Sequence, residues 1–317
     1  MSGYIGLDTS NYTTSVAFCD KDSGVITQQK KLLPVQEGKM GLRQSDAVFH
    51  HTRQLPDVLD ALCNTVNEQI VAVAASDRPQ QRDGSYMPCF LVGAGAAREW
   101  GTLLRVPVHF FTHQQGHVAA ALYGADALSL RHAPFLAFHV SGGTTDALYV
   151  QPDKEHILHC EVVGHSLDLK AGQLIDRVGG MLGLPFPAGP ALEALANTSE
   201  TSDFAVRVSL DGTNCHLSGV ENQCKTLLDK GAPPADVAKF CLCSVNAALA
   251  GMTDALLKTY GTLPLVYAGG VMSNAYLKES LSTQFGGYFA PPQYSADNAA
   301  GIALLCKIKE EGDMCPF

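Results

Sequence analysis

The chain has 317 residues, 46% of them hydrophobic and 17% charged, with a formal net charge of −9 at pH 7. That length supports one large or two medium cores. The acidic balance argues against a general nucleic-acid binder acting alone, and leaves room for a local basic patch or a basic partner.

In chain order, YIGLDTS and TTSVAFCD read as strands bracketing a polar turn, and GVITQQKKLLP continues the meander as a third strand ended by Pro34. SDAVFHHTRQLPDVLDALCNTVN has a helical period through Val48, Leu55, Val58, Leu59 and Leu62, and Pro56 predicts a break or kink inside it. IVAVAAS reads as a buried strand, FLVGAGAAREWGTLL as a small-residue helix, VPVHFF as a short strand and HQQGHVAAALYGA as a helix. The pattern then restarts. APFLAFHVSGG, TTDALYVQ and HILHCEVVGH are strand-like, and KAGQLIDRVGGMLG, PALEALAN and PADVAKFCLCSVNAALAGMTDALLKTYG are helical. The strand LPLVYAGGV, the helix NAYLKESLSTQF, the short strand YFAP and the helix DNAAGIALLCKIKEEG close the chain. A meander followed by helices, twice over, predicts an α/β fold of two lobes sharing a cleft. The first lobe is expected over 1–115, completed by a C-terminal helix at 296–317, and the second over 116–295.

Nothing resembles a signal peptide, and no apolar run reads as long enough to span a bilayer. The 10 cysteines include no CxxC pair, and many sit in apolar runs such as VAFCD and ALLCK. They read as small core residues of a reduced, cytoplasmic protein without membrane contact.

Two stretches repeat. IGLDTSNYTTSVAF from Ile5 and LAFHVSGGTTDALY from Leu136 align without a gap, so that Ser10 falls on Ser141, and Thr13 and Thr14 fall on Thr144 and Thr145. A tight turn of small residues exposes backbone N–H groups and short hydroxyls that bind phosphate oxygens. Two such turns suit the two ends of a triphosphate, and the alternative is an ordinary Gly/Ser/Thr hairpin turn. A second ungapped copy favours the phosphate grip. In LPLVYAGGVMSNAYLKESL, Gly269 and Gly270 let the backbone approach a flat ring or ribose, and Asn274 either bonds a ligand or caps the helix.

His113 and His117 stand four apart and point the same way on a helix, a spacing that lets them share one metal. Gln114 occupies the position where the HExxH zinc-peptidase motif needs a basic Glu, which disfavours that chemistry. Asp297 stands just before a helix, as an N-cap or as the third ligand. Two His, one Asp and open positions suit one divalent metal, Fe(II) or Zn(II).

The duplicated strand-led lobes with their small-residue turns resemble the actin, sugar kinase and Hsp70 class of ATPases. The order DTSNYTTS, HQQGH, VSGGTT, AGQLIDRVGGMLGLPFPAGP, AGGVMSN and DNAAGIA is similar to the TsaD/Gcp family, formerly annotated glycoproteases of peptidase family M22. The resemblance implies an actin-like ATPase (ASKHA) fold, two duplicated RNase H-like lobes around a central cleft. It implies metal-dependent transfer of a threonylcarbamoyl group from threonylcarbamoyl-adenylate to N6 of adenosine in tRNA. It implies ATP or the acyl-adenylate as ligand, and tRNA reached through partner proteins of a tRNA-modification complex. Carried onto this chain, the metal belongs to His113, His117 and Asp297. The nucleotide belongs to His139, Val140, Ser141, Gly142, Gly143, Asp176, Gly189 and Asn274, with Asp176 on the ribose. Asn11, Tyr12 and Thr13 take the catalytic positions of the first turn.

The chain departs from the family pattern at those first-turn positions, where Asn11 and Tyr12 replace acidic residues. It departs again at DLKAGQLIDR, where Lys170 and Gln173 stand for carboxylates, and it lacks the usual Gly-Pro-Gly loop before FLVG. These changes describe a divergent paralogue. They leave two alternatives: a carbamoyl-type transferase with another acceptor, or a non-catalytic partner-binding subunit.

Overall fold

The structure, a computed structural model, describes residues 2–10, 12–34, 42–201 and 204–312. It divides into two compact units: Met1–Ala133 with Gln151–Cys160 and Ala296–Phe317, and Pro134–Val150 with Glu161–Ser295.

In the first unit, β1 (Ser2–Asp8), β2 (Thr13–Asp20) and β3 (Ile26–Leu32) form the expected meander. Then come α1 (Gln44–Cys63), β4 (Gln69–Arg78), α2 (Phe90–Leu104), β5 (Val108–Thr112) and α3 (His113–Gly124). The sheet order is β3-β2-β1-β4-β5, with β4 and β5 parallel to β1. One sheet face, carrying Ile5, Leu7, Val16, Phe18, Val73 and Ala75, packs on Leu55, Val58 and Leu62 of α1 and Ala97 of α2. Strands covered on both faces read as continuous apolar runs, which is why β1 and β2 are buried almost end to end.

Next come β6 (Phe135–Val140), β7 (Thr145–Asp153) and β8 (Ile157–His165), which belong to the second unit except for the tip Gln151–Cys160. The second unit continues with α4 (Ala171–Met181), α5 (Gly189–Ala196), a small hairpin of β9 (Ser209–Asp211) and β10 (Asn214–His216), α6 (Ser218–Asp229) and α7 (Pro234–Tyr260). It ends with β11 (Leu265–Ala268), α8 (Ala275–Phe285), β12 (Tyr288–Phe289) and the single turn α9 (Pro292–Ser295). Its sheet order is β12-β11-β6-β7-β8. The last helix, α10 (Ala300–Glu311), belongs to the first unit and covers the other face of its sheet. Contact there is close: a Cβ on Gly6 of β1 would lie 2.3 Å from the main-chain nitrogen of Ala303.

The sequence repeat is a repeat of register. Ile5 pairs with Phe18 and Asp8 with Ser15 in the first hairpin, and Leu136 with Tyr149 and His139 with Asp146 in the second. The equivalent residues Leu7 and Phe138 each also pair with a parallel strand, facing Ala75 and Tyr267.

Several expectations need correction. α1 runs through Pro56 without ending. Losing one backbone donor is offset by burial of Leu55, Val58 and Leu62 along the same helix. The lobe boundary at 115 falls inside α3, and the first unit continues to Ala133, because α3 packs against α10: a Cβ on Gly116 would lie 2.8 Å from the Ile302 side chain. α7 has 27 residues and contains an 18-residue stretch of mean hydropathy 1.5, so it is long and apolar enough to cross a bilayer by composition, contrary to the sequence reading. Its stretch is 61% buried, and Val237, Phe240, Cys241, Val245, Leu249 and Met252 lie in the second unit's core. The β9–β10 hairpin and α6 had no counterpart in the sequence reading.

Candidate functional site

His113 and His117 owe their position to a capping box. The Thr112 side chain accepts from the Gln115 N–H at 3.1 Å, and Gln115 Oε1 accepts from the Thr112 N–H at 2.7 Å. Gln115 Nε2 also donates to the carbonyls of His156 and Leu158, at 3.1 and 2.6 Å. The helix start is thereby fixed at the first histidine. Asp297 comes from the segment entering α10, which packs on α3 so tightly that a Cβ on Gly301 would lie 1.8 Å from the Gly116 carbonyl oxygen.

The three side chains converge. His113 Nε2 and His117 Nε2 are 2.9 Å apart, and Asp297 Oδ1 lies 3.7 Å from the first and 3.3 Å from the second. One donor atom from each lies within 4.8 Å of the others, and no other such group of three occurs among the described residues. Two ring nitrogens this close must share a proton or a cation, because bare lone pairs repel.

Asp8 sets which nitrogen is available. Its carboxylate is 1% exposed, and its Oδ2 lies 2.9 Å from His113 Nδ1. Ser10 Oγ donates to the same oxygen at 2.9 Å, and Ser76 Oγ donates to Oδ1. With Nδ1–H committed to Asp8, Nε2 presents its lone pair to His117 and Asp297, the carboxylate–histidine arrangement that orients metal ligands. In the metal-free protein, burial pushes His113 down, but the charge and hydrogen bond of Asp8, with Asp297, prevail and raise it to about 9. Burial, then the charged His113, push His117 down. The pair thus carries one positive charge, on His113, whose Nε2 proton a cation must displace. The donor set of two imidazoles and one carboxylate, with a carboxylate behind one imidazole, fits a divalent transition metal.

The first turn itself is largely committed to the fold. Thr9 Oγ1 donates to the Cys89 carbonyl at 2.9 Å and accepts from the Gly93 N–H at 3.1 Å. Thr14 Oγ1 meets His51 Nδ1 at 2.8 Å and Gln54 Oε1 at 3.1 Å. Thr9, Ser10, Thr13 and Thr14 are buried, so their hydroxyls do not offer the first half of a phosphate grip. Of the three catalytic candidates, Asn11 lies outside the described residues, Tyr12 is 41% exposed, and Thr13 is buried with its N–H on the Ser10 carbonyl at 3.1 Å.

The second turn has room. Gly142 and Gly143 face open space. Ser141 Oγ accepts from the Gly143 and Thr144 N–H groups at 3.3 and 3.2 Å and keeps its own proton to donate. Behind it, the Ala171 N–H donates to Thr145 Oγ1 at 2.8 Å and the Gly172 N–H to the Ser141 carbonyl at 3.2 Å, so α4 begins against the turn. Gly172 touches the backbone of Gly142, and any side chain there would collide. His139 and Val140 close β6 ahead of the turn, His139 half-buried and Val140 buried.

Asp176 on α4 accepts from the Ala188 N–H at 2.8 Å, and burial raises its carboxyl above the ordinary range. Gly189 opens α5 just beyond, with open space where a side chain would be. Asn274 caps α8: its Oδ1 accepts from the Leu277 N–H at 3.0 Å, while Glu193 Oε1 accepts from the Ala275 N–H at 2.7 Å.

Sequence reasoning missed Asp8, Ser76 and Lys30. Asp8 stands in DTSNYTTS but drew no role there, Ser76 and Lys30 lie in no motif, and strand register brings the three together.

A family profile described as "TsaD: tRNA N6-adenosine threonylcarbamoyltransferase" matches residues 25–304. A relative named tRNA N6-adenosine threonylcarbamoyltransferase from Aromatoleum aromaticum is 31% identical, with 95% of this chain and 89% of that protein covered. Among solved structures, component A of (R)-2-hydroxyglutaryl-CoA dehydratase from Acidaminococcus fermentans has a TM-score of 0.57 at 16% identity, covering 97% of this chain and 98% of that one. The ROK hexokinase from Thermus thermophilus has a TM-score of 0.51 at 14% identity, covering 97% and 99%. These likenesses speak for the fold alone, which is the actin-like ATPase fold, and the duplicated hairpin register agrees with it. By the match over most of its length, the chain belongs to the TsaD family of tRNA N6-adenosine threonylcarbamoyltransferases.

Proposed function

We propose that this protein is a metal-dependent acyltransferase that moves a threonylcarbamoyl group from threonylcarbamoyl-adenylate to N6 of adenosine in tRNA. The observation that carries the reading is the convergence of His113, His117 and Asp297, with Asp8 holding His113 by its far nitrogen. A divalent Fe or Zn held by these three residues supplies Lewis-acid polarisation of an acyl or phosphoryl oxygen. The protein's own part is to keep both Nε2 lone pairs and the Asp297 carboxylate aimed at one point. Asp8 orients the His113 ring and fixes its tautomer.

In the second unit, the reading assigns the phosphate to the Ser141–Gly143 turn, where the Ser141 hydroxyl and the open glycine backbone suit an oxyanion. His139, Val140 and Gly189 flank the nucleotide. Asp176, with one oxygen already on the Ala188 N–H, has the other for a ribose hydroxyl. Asn274 keeps its side-chain NH₂ for the ligand while its oxygen caps α8. The acidic surface charge favours tRNA capture through partner proteins of the modification-complex type. Most of the described cysteines are buried, which suits the cytoplasm.

A second reading, transfer of a carbamoyl-type group to another acceptor, is favoured by the first turn, where Tyr12 presents an exposed phenol in place of a carboxylate. Nucleoside analysis separates the two. The chain is expressed with the standard partners in cells lacking the usual enzyme, and threonylcarbamoylated adenosine in tRNA is measured. Restoration supports the first reading. Absence, with metal and adenylate binding intact in the purified protein, supports the second.

A further inference from the structure

The register of the first sheet aligns Asp8 and Ser15, the two ends of DTSNYTTS, with Lys30, which lies outside that motif. Asp8 on β1 faces Ser15 on β2, and Ser15 faces Lys30 on β3. Residues in register point to the same side of a sheet, so Lys30 lies on the α10 face with Asp8. Its neighbour Lys31 points the other way and pairs with Asp57 of α1 at 3.3 Å. Lys30 Nζ instead reaches the Asp297 main-chain oxygen at 3.5 Å, and it forms no ion pair with a carboxylate among the described residues. An ammonium has three donors, and one long contact leaves two of them to fill.

Charge counting points the same way. Asp8 and Asp297 together match the two charges of a divalent ion. Lys30 is then an excess positive charge beside the centre, left for an anion to complete.

We propose that Lys30 is an anion-binding residue of the His113/His117/Asp297 centre, donating to a substrate oxyanion, a phosphate or a carboxylate. The proposal rests on the reading of that centre as the metal site of an adenylate-using transferase, and it names the group that recognises the substrate's negative charge. Lys30 stands on an edge strand and is exposed, so its replacement leaves the core intact.

The test uses full-length, metal-loaded wild type, Lys30→Met and Lys30→Arg. Each is assayed for metal content and titrated calorimetrically with AMP, inorganic phosphate and N-carbamoylthreonine. The expected result is an unchanged metal content in all three proteins. Affinity for the oxyanion probe should fall about 10- to 100-fold in Lys30→Met and be largely kept in Lys30→Arg. A Lys30 effect on AMP and phosphate identifies the phosphate as the recognised group, and an effect confined to N-carbamoylthreonine identifies the carboxylate. Binding of phosphate through Lys30 without any binding of AMP or N-carbamoylthreonine would sustain Lys30 and remove the adenylate reading. AMP binding that is equal in wild type and Lys30→Met, with N-carbamoylthreonine and phosphate equally indifferent, would overturn Lys30 and leave the adenylate reading standing. Loss of metal in Lys30→Met, or no binding of any probe by the wild type at millimolar concentration, would also overturn the proposal.

Discussion

Single residues decide how the metal-type centre is held. Asp8 is buried, takes two serine hydroxyls and the His113 ring, and has no other task in the fold. Asp8→Asn keeps an acceptor of the same shape but removes its charge, so metal affinity should fall about 10- to 100-fold with little change in secondary structure. Competition titration with a chelating dye measures this, and an unchanged affinity would show that His113 is oriented by packing alone. His51 is a different case. It is fully buried, its Nδ1 meets Thr14, and its Nε2 has no partner. Gln54 Nε2 is anchored on the Leu32 carbonyl, so Gln54 Oε1 receives the Thr14 hydroxyl proton and His51 Nδ1–H donates to Thr14. Burial depresses the ring to about 4. The unfolded chain therefore takes up this proton below about pH 6.5 while the folded one resists it. Stability contributed by neutral His51 is present above pH 6.5 and is lost as the pH falls toward 4. At pH 5 the loss relative to pH 7 is roughly 2 kcal/mol, and it should vanish in His51→Gln, as urea unfolding at the two pH values would reveal.

Helices and strands bring these residues together through a few close approaches. α3 and α10 cross where Gly116 meets Gly301, and a Cβ at position 301 would lie 1.8 Å from a carbonyl oxygen. Backbone cannot yield as a flexible side chain does. Gly301→Ala should cost about 1–3 kcal/mol by overpacking and should weaken metal binding, because Asp297 leads into α10 and both histidines stand on α3. Gly180→Ala on α4 is the control: a side chain there meets open space, and thermal stability should hold or rise slightly. If Gly301→Ala melts like the wild type and binds metal normally, the helix crossing does not set the centre. The repeated threonine makes the matching point for strands. Thr14 reaches α1 and Thr145 reaches the start of α4, so each hairpin is tied to the first helix that follows its meander. The ungapped alignment made this repeat legible. What each threonine does was not, because the partner helix differs in each unit.

At the scale of the molecule, α10 returns the end of the chain to the first sheet. Ala300, Ile302, Ala303, Leu304, Leu305 and Ile308 are buried on it, and buried Lys307 pairs with Glu311, which also accepts from Tyr4 of β1. Deleting residues 296–317 exposes one whole face of that sheet and removes Asp297, so the truncated protein should be recovered in inclusion bodies. A soluble, cooperatively unfolding truncation would show that α10 is dispensable for the first unit. By itself the sequence determined the family, the α/β order, the shared hairpin register and the spacing of His113 and His117, because each is written in local period or in motifs along the chain. It left Asn274 open between ligand and cap, it read Pro56 as a break or kink where α1 does not end, and it read α7 without its membrane-like apolarity. Helix continuity and burial depend on what packs alongside. Only the tertiary structure decided that Asp8 stands behind His113, that Asp297 meets the two histidines and that Lys30 reaches the Asp297 main chain from the sheet edge. Those contacts join residues separated by up to most of the chain. They are fixed by which face of a sheet a register selects and by how closely two glycine-lined helices can cross.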